Sequence, residues 1–437
     1  MYYKITNKEE NHNGFQYAEG LNVLDKPFSS TGSCVAGGLY FTTKEHIHKF
    51  YDYGINIREI TLPETDSDFQ MVLDPEGDKW RANKIILGKK YSLLDPYTYQ
   101  LLDLDITKNI YFIDNASKYG HIDILEWWKI SGLKLDYSCD ALNSASKNNQ
   151  VEIFYWWKNS NFALKYTCDA MNMASANGHT NVLDCWKKSG LRLKYTQSAI
   201  NFASSNGHVN VLNWWKNSGL ELEYTQHAID LASLNGHINI LNWWKKSGLA
   251  LKYTHNAMGC ASMKGRLDTL EWWKNSGLKL KYTSVAIDNA SKKGNANVLH
   301  WWKNSGLDLK YSHNAMNFAS AKGHIDILEW WKNSELKLEY THNAIDRASK
   351  NGHVSILNWW KKSGLKLVYT HDAIDQASRK GHVNVLDWWQ NSGSEFEYTN
   401  SAIRGVAARN HIASARNHIN VLERCEIYKN IFLQKII

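Results

Sequence analysis

Histidine is the first residue type to consider, because seven histidines recur at one position of a repeating pattern and imidazole is the commonest metal ligand in proteins. Arginine, asparagine and glutamine occupy that position in other copies of the pattern. Helical repeats stack roughly 10 Å apart, so histidines of neighbouring copies cannot share an ion. We therefore expect no metal site and interpret these side chains as hydrogen-bonding groups near helix starts. The seven are His121, His179, His208, His237, His324, His353 and His382.

The cysteines form no pattern typical of zinc sites or disulfide frameworks, because no two of them stand in a C-x-x-C pair. Reduced thiols in a cytosolic protein are the simpler interpretation. We expect no cofactor. The six are Cys34, Cys139, Cys168, Cys185, Cys260 and Cys425.

Catalysis in the N-terminal region would depend on His12, Cys34 and Glu45, whose side chains suit acid–base or nucleophilic chemistry. They are scattered and belong to no catalytic motif. The glycine pair that follows Cys34 is not a phosphate-binding loop, because no G-K-[S/T] comes after it. We predict that the protein is not an enzyme, and keep an enzyme displayed on a repeat arm as an alternative.

Tyrosine marks the period of the repeats. With each tyrosine as position 1, the 29-residue unit reads Y-T-x-x-A-I-D-x-A-S-x-N-G-H-V-N-V-L-N-W-W-K-N-S-G-L-K-L-K. An earlier unit begins near Lys108, which gives about eleven units, and a fixed period of this length indicates a solenoid. The marker residues are Tyr137, Tyr166, Tyr195, Tyr224, Tyr253, Tyr282, Tyr311, Tyr340, Tyr369 and Tyr398.

Each unit predicts two short helices. Threonine at position 2 is a candidate N-cap for the first helix, and glycine at position 13 suits the turn that ends it. The second helix begins near position 14 and stops at the glycine of position 25. On the first helix, positions 5, 6 and 9 define the buried side, whereas positions 4, 7, 8 and 11 lie opposite.

The paired tryptophans at positions 20 and 21 have different predicted roles. Positions 14, 17, 18 and 21 share one face of the second helix, which places the second tryptophan in the core and the first on its flank. In one repeat Cys185 replaces the first tryptophan while Trp186 is kept, in agreement with this assignment. The predicted structural residues are Trp128, Trp157, Trp186, Trp215, Trp244, Trp273, Trp302, Trp331, Trp360 and Trp389.

Charge, proline and strand patterns predict the domain organisation. All four prolines lie in the first 96 residues, which carry a net charge of −3, whereas the remaining residues carry +11. Runs such as GGLYFT and INIREITLP are typical of strands, and TKEHIHKFYDYG predicts one helix. We predict a small α+β domain (1–95), a linker and N-terminal cap (96–107), an all-α array of helix-turn-helix repeats (108–425) and a tail (426–437). The last repeat contains a seven-residue insertion.

The unit's pattern A-I-D-x-A-S-x-x-G-H-x-x-V-L-x-x-W-x-x-x-G resembles the ankyrin repeat, although it is four residues shorter and lacks the T-P-L-H start. The tryptophan-rich unit, together with NHNGFQYAEGLN and KWRANKIIL near the N-terminus, resembles the ankyrin-repeat proteins of mimivirus-type giant viruses and their N-terminal leader domain. The resemblance implies an ankyrin-like fold and no known activity. The residues that match the consensus in the Tyr340 unit are Ile345, Ala348, Gly352, His353, Ile356, Leu357, Trp360 and Gly364.

Position 8 is the most variable position of the unit, and a variable position within a fixed framework indicates binding specificity. Exposed apolar stripes mark interaction sites. The alternative is that position 8 is half-buried between neighbouring first helices. With two residues of position 11 included, the predicted partner-binding residues are Met173, Phe202, Leu231, Leu234, Cys260, Met263, Phe318 and Arg347.

These features predict a non-enzymatic scaffold for protein–protein interaction, with a host protein as partner. The alternative is a nucleic-acid-binding solenoid, which the positive charge of the repeats would support. Against it, the lysines at positions 22, 27 and 29 have the spacing expected of the solvent-exposed side of the second helix and the link that follows it. The chain contains no apolar run of membrane-spanning length, and its N-terminus lacks a signal-peptide core. We expect a monomer in the cytoplasm of the infected cell or in the virion.

Overall fold

A computed structural model of the protein describes residues 1–394 and Thr399. Its contacts divide the chain into two compact units. The first comprises Met1–Ile200 with Asn213–Leu222, and the second comprises Asn201–Leu212 with Glu223 onward. All the strands and the earlier repeats belong to the first unit, and the later repeats belong to the second.

Nine short strands form the N-terminal part of the first unit. Seven of them make one antiparallel sheet in the order β4-β9-β6-β1-β5-β8-β7, and β2 pairs with β3. A 3₁₀ helix, Ile47–Tyr53, lies where the sequence predicts a helix and contacts β1. The strands are β1 (Tyr2–Thr6), β2 (Asn11–His12), β3 (Phe15–Gln16), β4 (Gly20–Val23), β5 (Leu39–Thr43), β6 (Asn56–Thr61), β7 (Met71–Leu73), β8 (Trp80–Ala82) and β9 (Lys84–Ser92).

Strand β1 is the central strand of the sheet, although the sequence pattern does not predict it. Tyr3, Lys4, Ile5 and Thr6 are all buried. Successive side chains of a strand point to opposite faces, so both faces of β1 are covered. The expected alternation of apolar and polar residues is therefore absent, and a lysine interrupts the apolar run.

Helices make up the rest of the described chain. Helix α1 (Pro96–Leu101) begins after Asp95, whose carboxylate accepts a hydrogen bond from the Tyr97 N–H. A short 3₁₀ helix, Ile106–Lys108, follows α1, and the remaining helices form ten repeated pairs. The predicted fold class of an α+β domain followed by all-α ankyrin-like repeats is confirmed. The pairs are α2 (Phe112–Tyr119) and α3 (Ile122–Ser131), α4 (Asp140–Lys147) and α5 (Val151–Asn159), α6 (Asp169–Ala176) and α7 (Thr180–Lys188), α8 (Ser198–Ser205) and α9 (Val209–Asn217), α10 (His227–Asn235) and α11 (Ile238–Lys246), α12 (Asn256–Met263) and α13 (Leu267–Asn275), α14 (Val285–Lys292) and α15 (Ala296–Asn304), α16 (Asn314–Lys322) and α17 (Ile325–Lys332), α18 (Asn343–Lys350) and α19 (Val354–Lys362), and α20 (Asp372–Lys380) and α21 (Val383–Asn391).

The turn between the two helices of a repeat has a left-handed residue at position 13, which is glycine in nine described repeats and Asn149 in the other. Gly207 has a φ of 83°, and a Cβ there would lie 3.0 Å from the ring of His237, the position-14 residue of the following repeat. The position-14 histidines also bond across repeats, since Nε2 of His324 lies 3.2 Å from the backbone oxygen of Lys292. Glycine and histidine therefore act together at the contact between neighbouring repeats.

The second tryptophan of every described repeat is buried, with at most 3% of its surface exposed. In nine repeats its indole N–H donates to the serine hydroxyl at position 10 of the preceding repeat, at 3.0–3.2 Å. The marker tyrosine of the same repeat packs on the indole, with ring centroids 4.7–4.9 Å apart. The indole therefore fills the core and bonds to the neighbouring repeat at the same time.

The first tryptophan is less buried and bonds to a different group. Trp272 donates to Oδ1 of Asn242 at 2.8 Å, and Trp301 donates to Oε2 of Glu271 at 2.8 Å, in each case to position 19 of the preceding repeat. Where Cys185 replaces this tryptophan, its thiol lies 3.6 Å from the hydroxyl of Tyr155, which occupies the matching position 19. At that interface, both position 20 and the facing position 19 of the preceding repeat therefore differ from the residues found in the other repeats.

Position 7 is buried, and the predicted placement of this position on the exposed side of the first helix is wrong. Asp230 accepts from the backbone N–H and hydroxyl of Thr254, at 2.9 and 2.6 Å. Asn172 accepts from the Thr196 N–H and donates to its hydroxyl. Position 2 of the next repeat covers the side chain, which a helix pattern taken alone does not show. Aspartate and asparagine are interchangeable here because a hydroxyl can donate or accept.

The segment before the first repeat packs on that repeat. Tyr99 of α1 lies 5.8 Å from Phe112 of α2 between ring centroids, and its hydroxyl accepts a hydrogen bond from Asn109 at 2.6 Å. Tyr51 packs on the other side of Tyr99 at 6.2 Å. The predicted domain boundaries and the capping role of 96–107 remain predictions. The eleventh repeat apart from Thr399, including its seven-residue insertion, and the tail over 426–437 lie outside the described residues.

We expect Trp273→Ala to lower the free energy of unfolding by about 3–5 kcal/mol, because it leaves a large cavity and removes the hydrogen bond that the Ser233 hydroxyl accepts from the indole. The matched change Trp272→Ala removes a partly exposed ring and should cost less. Denaturant unfolding followed by circular dichroism provides the measurement. Equal midpoints for the two variants would contradict the assignment of core and flank.

Gly259 occupies position 7 of the Tyr253 repeat, so this interface lacks the bond to position 2 of the next repeat, Thr283. A Cβ at Gly259 meets no atom within 4 Å. We expect Gly259→Asn to stabilise the protein by about 1–2 kcal/mol, because it restores the hydrogen bonds and removes a helical glycine. Thermal unfolding should show a larger gain than for the control Gly259→Ala, and that excess should shrink in a Thr283→Val background. An equal gain for both substitutions would count against the role given to position 7.

Candidate functional site

The predicted partner-binding residues all lie on first helices. Met173 lies on α6 in the first unit. The other seven belong to the second unit, in which α10 contacts α12 and α16 contacts α18. These are Phe202 on α8, Leu231 and Leu234 on α10, Cys260 and Met263 on α12, Phe318 on α16 and Arg347 on α18.

Exposure differs along this set of residues. Phe202 is 40% exposed, and Arg347 is also exposed. The other six, including Leu231 and Met263, are half-buried. The side chains at positions 7 and 9 on either side of each position-8 residue are buried in nearly every repeat, so position 8 is the part of this helix segment that another molecule can reach.

Two chemical features distinguish members of the set. Phe318 lies between two cations, with Lys292 Nζ 5.1 Å and the Arg347 guanidinium carbon 6.0 Å from its ring centroid. Burial, with a smaller contribution from Asp230, raises the pKa of the Cys260 thiol, so this cysteine stays protonated near neutral pH. The surface can therefore offer apolar contacts and a positive charge, but not a thiolate nucleophile.

A second candidate site is a cavity of about 460 Å³ in the N-terminal sheet region. Aromatic residues from β1, β3 and β5 line much of it, including Tyr3, Phe15 and Phe41. Lys4 also lines it and is buried. The Lys4 ammonium donates to the Tyr40 carbonyl oxygen at 2.6 Å and lies 4.4 Å from the centre of the Tyr17 ring.

Burial lowers the pKa of Lys4 from its ordinary 10.5 to about 7. Its cross-strand neighbour on β6 is a second cation, Arg58, which already holds Glu10 through two hydrogen bonds of 2.8 Å. Within the described residues, no carboxylate lies within 4.0 Å of the Lys4 ammonium. Lys4 is thus a buried amine without a counterion.

The structure brings two of the three catalytic candidates to this cavity. His12 and Cys34 both line it, whereas Glu45 is exposed and does not. No hydrogen bond joins His12 to Cys34 within the described chain. Burial, followed by the charge of Lys4, lowers the pKa of His12. Sequence reasoning missed Lys4 itself, and the available signal was a charged residue inside the apolar run YYKIT.

Metal ligation has no visible site in the described part of the chain, where no group of three or more His, Cys, Asp or Glu side chains could hold an ion. In the same residues, no helix is both long and apolar enough to cross a membrane.

Comparison with known proteins shows that the chain is similar to ankyrin repeat proteins of a giant virus. Putative ankyrin repeat protein R868 of Acanthamoeba polyphaga mimivirus is 45% identical over 133 residues, which are 29% of this chain and 65% of that protein. Uncharacterized protein R869 of the same virus is 43% identical over 116 residues, covering 25% of this chain and 83% of that protein. The chain belongs to the mimivirus ankyrin-repeat proteins.

This mimivirus-type ankyrin-repeat protein matches no family model. It also spans only 41% of putative ankyrin repeat protein R896, at 39% identity, so it covers less than two thirds of the first relatives it matches. The crystal structure of the human ASB11 ankyrin repeat domain aligns with 45% of this chain and with 96% of that domain. The two are 14% identical and superpose with a TM-score of 0.35. The fold assignment therefore rests on the contacts within this chain and not on that superposition. The likeness of residues 1–95 to a viral leader domain remains a prediction.

The lowered pKa of Lys4 predicts a pH-dependent stability of the N-terminal sheet. Between about pH 7 and 10.5 the unfolded chain binds a proton at Lys4 that the folded chain has lost, so the free energy of unfolding rises with pH there. Lys4→Met should stabilise the sheet below about pH 7, and this advantage should decline as the pH rises. Hydrogen exchange of β1 peptides in the full chain, with the exposed Lys26→Met as control, measures the effect. An advantage that does not change with pH would show that burial does not depress this pKa.

Proposed function

We propose that the protein is a non-enzymatic scaffold whose first helices bind another protein. The observation that carries this proposal is the separation of a fixed framework from a variable surface. Side chains at positions 7 and 10 bond to the neighbouring repeat, whereas position 8 varies from repeat to repeat and stays accessible. Repeat proteins commonly bind their partners on such an extended face.

The chemistry of the second unit's surface favours a partner with apolar side chains and a nearby carboxylate. Phe202, Leu231 and Met263 supply apolar area, and Arg347 beside Phe318 supplies an exposed positive charge. Aromatic residues and arginine contribute much of the binding energy at protein interfaces. The relatives of this chain are viral proteins, which supports a host protein as the partner, bound by a monomer in the cytoplasm of the infected cell or in the virion.

A nucleic-acid-binding solenoid is the alternative, and the contacts of the lysines disfavour it. Lys252 at position 29 donates to the Tyr224 carbonyl oxygen at 3.1 Å and lies 4.5 Å from the centre of that tyrosine's ring. Lys165, Lys194 and Lys281 make the same two contacts in their repeats. Lysines engaged in this way offer less of their charge to phosphates. Nucleic-acid binding would also weaken steeply as salt is raised, which a titration can measure.

We expect the double variant Phe202→Lys with Leu231→Lys to lose partner capture from infected cells while it keeps its helical circular dichroism. Two buried charges placed at a protein interface without counterions strongly disfavour association. The matched control, Asn304→Lys with Ser355→Lys, adds the same charge on exposed second-helix positions and should bind normally. Unfolding of the double variant would show that position 8 is part of the core, and normal capture by it would place the partner elsewhere.

A further inference from the structure

The N-terminal cavity combines an apolar lining with an uncompensated cation. Tyr17, Phe15 and Phe41 present aromatic surface to it, and Lys4 supplies an amine from the central strand. The mouth carries both Lys26 and Asp25, which are exposed. A cavity of about 460 Å³ with a mainly apolar lining has the size and character of a small-molecule site.

Lys4 has hydrogen-bonding capacity that the protein does not use. A protonated amine has three donors, and the described residues supply one acceptor, the Tyr40 carbonyl oxygen. The Tyr17 ring adds a weaker contact through its π face. Glu10 is already engaged, because its carboxylate accepts hydrogen bonds from Nε and Nη2 of Arg58, the cross-strand neighbour of Lys4 on β6. Buried charges in folded proteins are normally paired, whereas no carboxylate of the described residues lies within 4.0 Å of the Lys4 ammonium, and Asp25 is exposed at the mouth.

Lys79, the second buried lysine of the lining, does not compete for such an anion, and Lys26 is exposed at the mouth. Lys79 holds Oε2 of Glu76 at 2.5 Å and lies 3.5 Å from carboxylate oxygens of Asp74 and Asp78. Those carboxylates neutralise it. Among the residues that line the cavity, Lys4 is therefore the one that would most stabilise a negative charge on a bound ligand.

We propose that this cavity binds a small carboxylic acid with an apolar body, its carboxylate paired with the Lys4 ammonium and its body against Tyr17, Phe15 and Phe41. The charge complements Lys4, and the aromatic lining removes the apolar body from water. This site does not involve the repeat surface, so a failure of this proposal would not affect the proposed scaffold function.

Calorimetric titration of the full chain with octanoate and with octanol tests the proposal, because the two ligands share a chain length and differ in charge. At about pH 6, where Lys4 is protonated, octanoate should bind at least about tenfold more tightly than octanol, a difference of ~1.4 kcal/mol. Lys4→Met should abolish this preference, whereas the control Lys26→Met at the cavity mouth should preserve it.

Ala36→Trp provides a second test that does not alter the buried strand. Ala36 is exposed and lines the cavity, so an indole there should obstruct it and weaken both ligands together. Equal binding of octanoate and octanol to the wild-type protein, or no binding of either, would overturn the proposal. So would unchanged octanoate affinity in Ala36→Trp. If Lys4→Met does not fold, the ligand pair and Ala36→Trp still decide the question.

Discussion

A buried indole N–H that donates to a serine hydroxyl of the preceding repeat is the interaction on which the array depends. Leaving such a donor unpaired in the core would cost roughly 1–3 kcal/mol, and the ring itself removes a large apolar area from water. The tryptophan therefore needs both a small neighbour that admits the ring and an acceptor at one fixed place. Serine at position 10, beside the alanine of position 9, meets both needs in each described repeat from Ser117 to Ser349. Packing and register are thus fixed by the same side chain.

Periodicity was sufficient to predict the two helices of each described repeat and the different environments of the paired tryptophans. It was not sufficient for position 7, because a helix considered alone cannot reveal that position 2 of the next repeat covers it. The same limit applies to Lys4. A strand buried on both faces has no alternation to detect, and a lysine in such a run looks like evidence against burial. Side chains whose environment is created by another element are the ones that sequence patterns miss.

The interfaces between repeats are alike without being identical. Tyr155 and Cys185 replace the carboxylate or amide and the tryptophan that face each other elsewhere, and they still make contact. Gly259 omits a side chain that nine other described repeats use at that position. Such local changes are tolerated because each interface involves only adjacent repeats. Variation at position 8 can therefore accumulate without disturbing the bonds that join one repeat to the next.

The first repeat shows what happens where no preceding serine exists. There the indole of Trp128 donates to the backbone oxygen of Leu133 in its own repeat, at 3.0 Å. The second tryptophan of each later described repeat finds its hydrogen-bond acceptor in the repeat before it. These indole hydrogen bonds between repeats therefore all run in one direction, from each repeat to the preceding one. Removal or duplication of an internal 29-residue segment would rejoin a serine to an equivalent indole and create no unmatched donor. Gene rearrangements that change the number of repeats would thus alter the length of the proposed binding surface while leaving the contacts between neighbouring repeats unchanged.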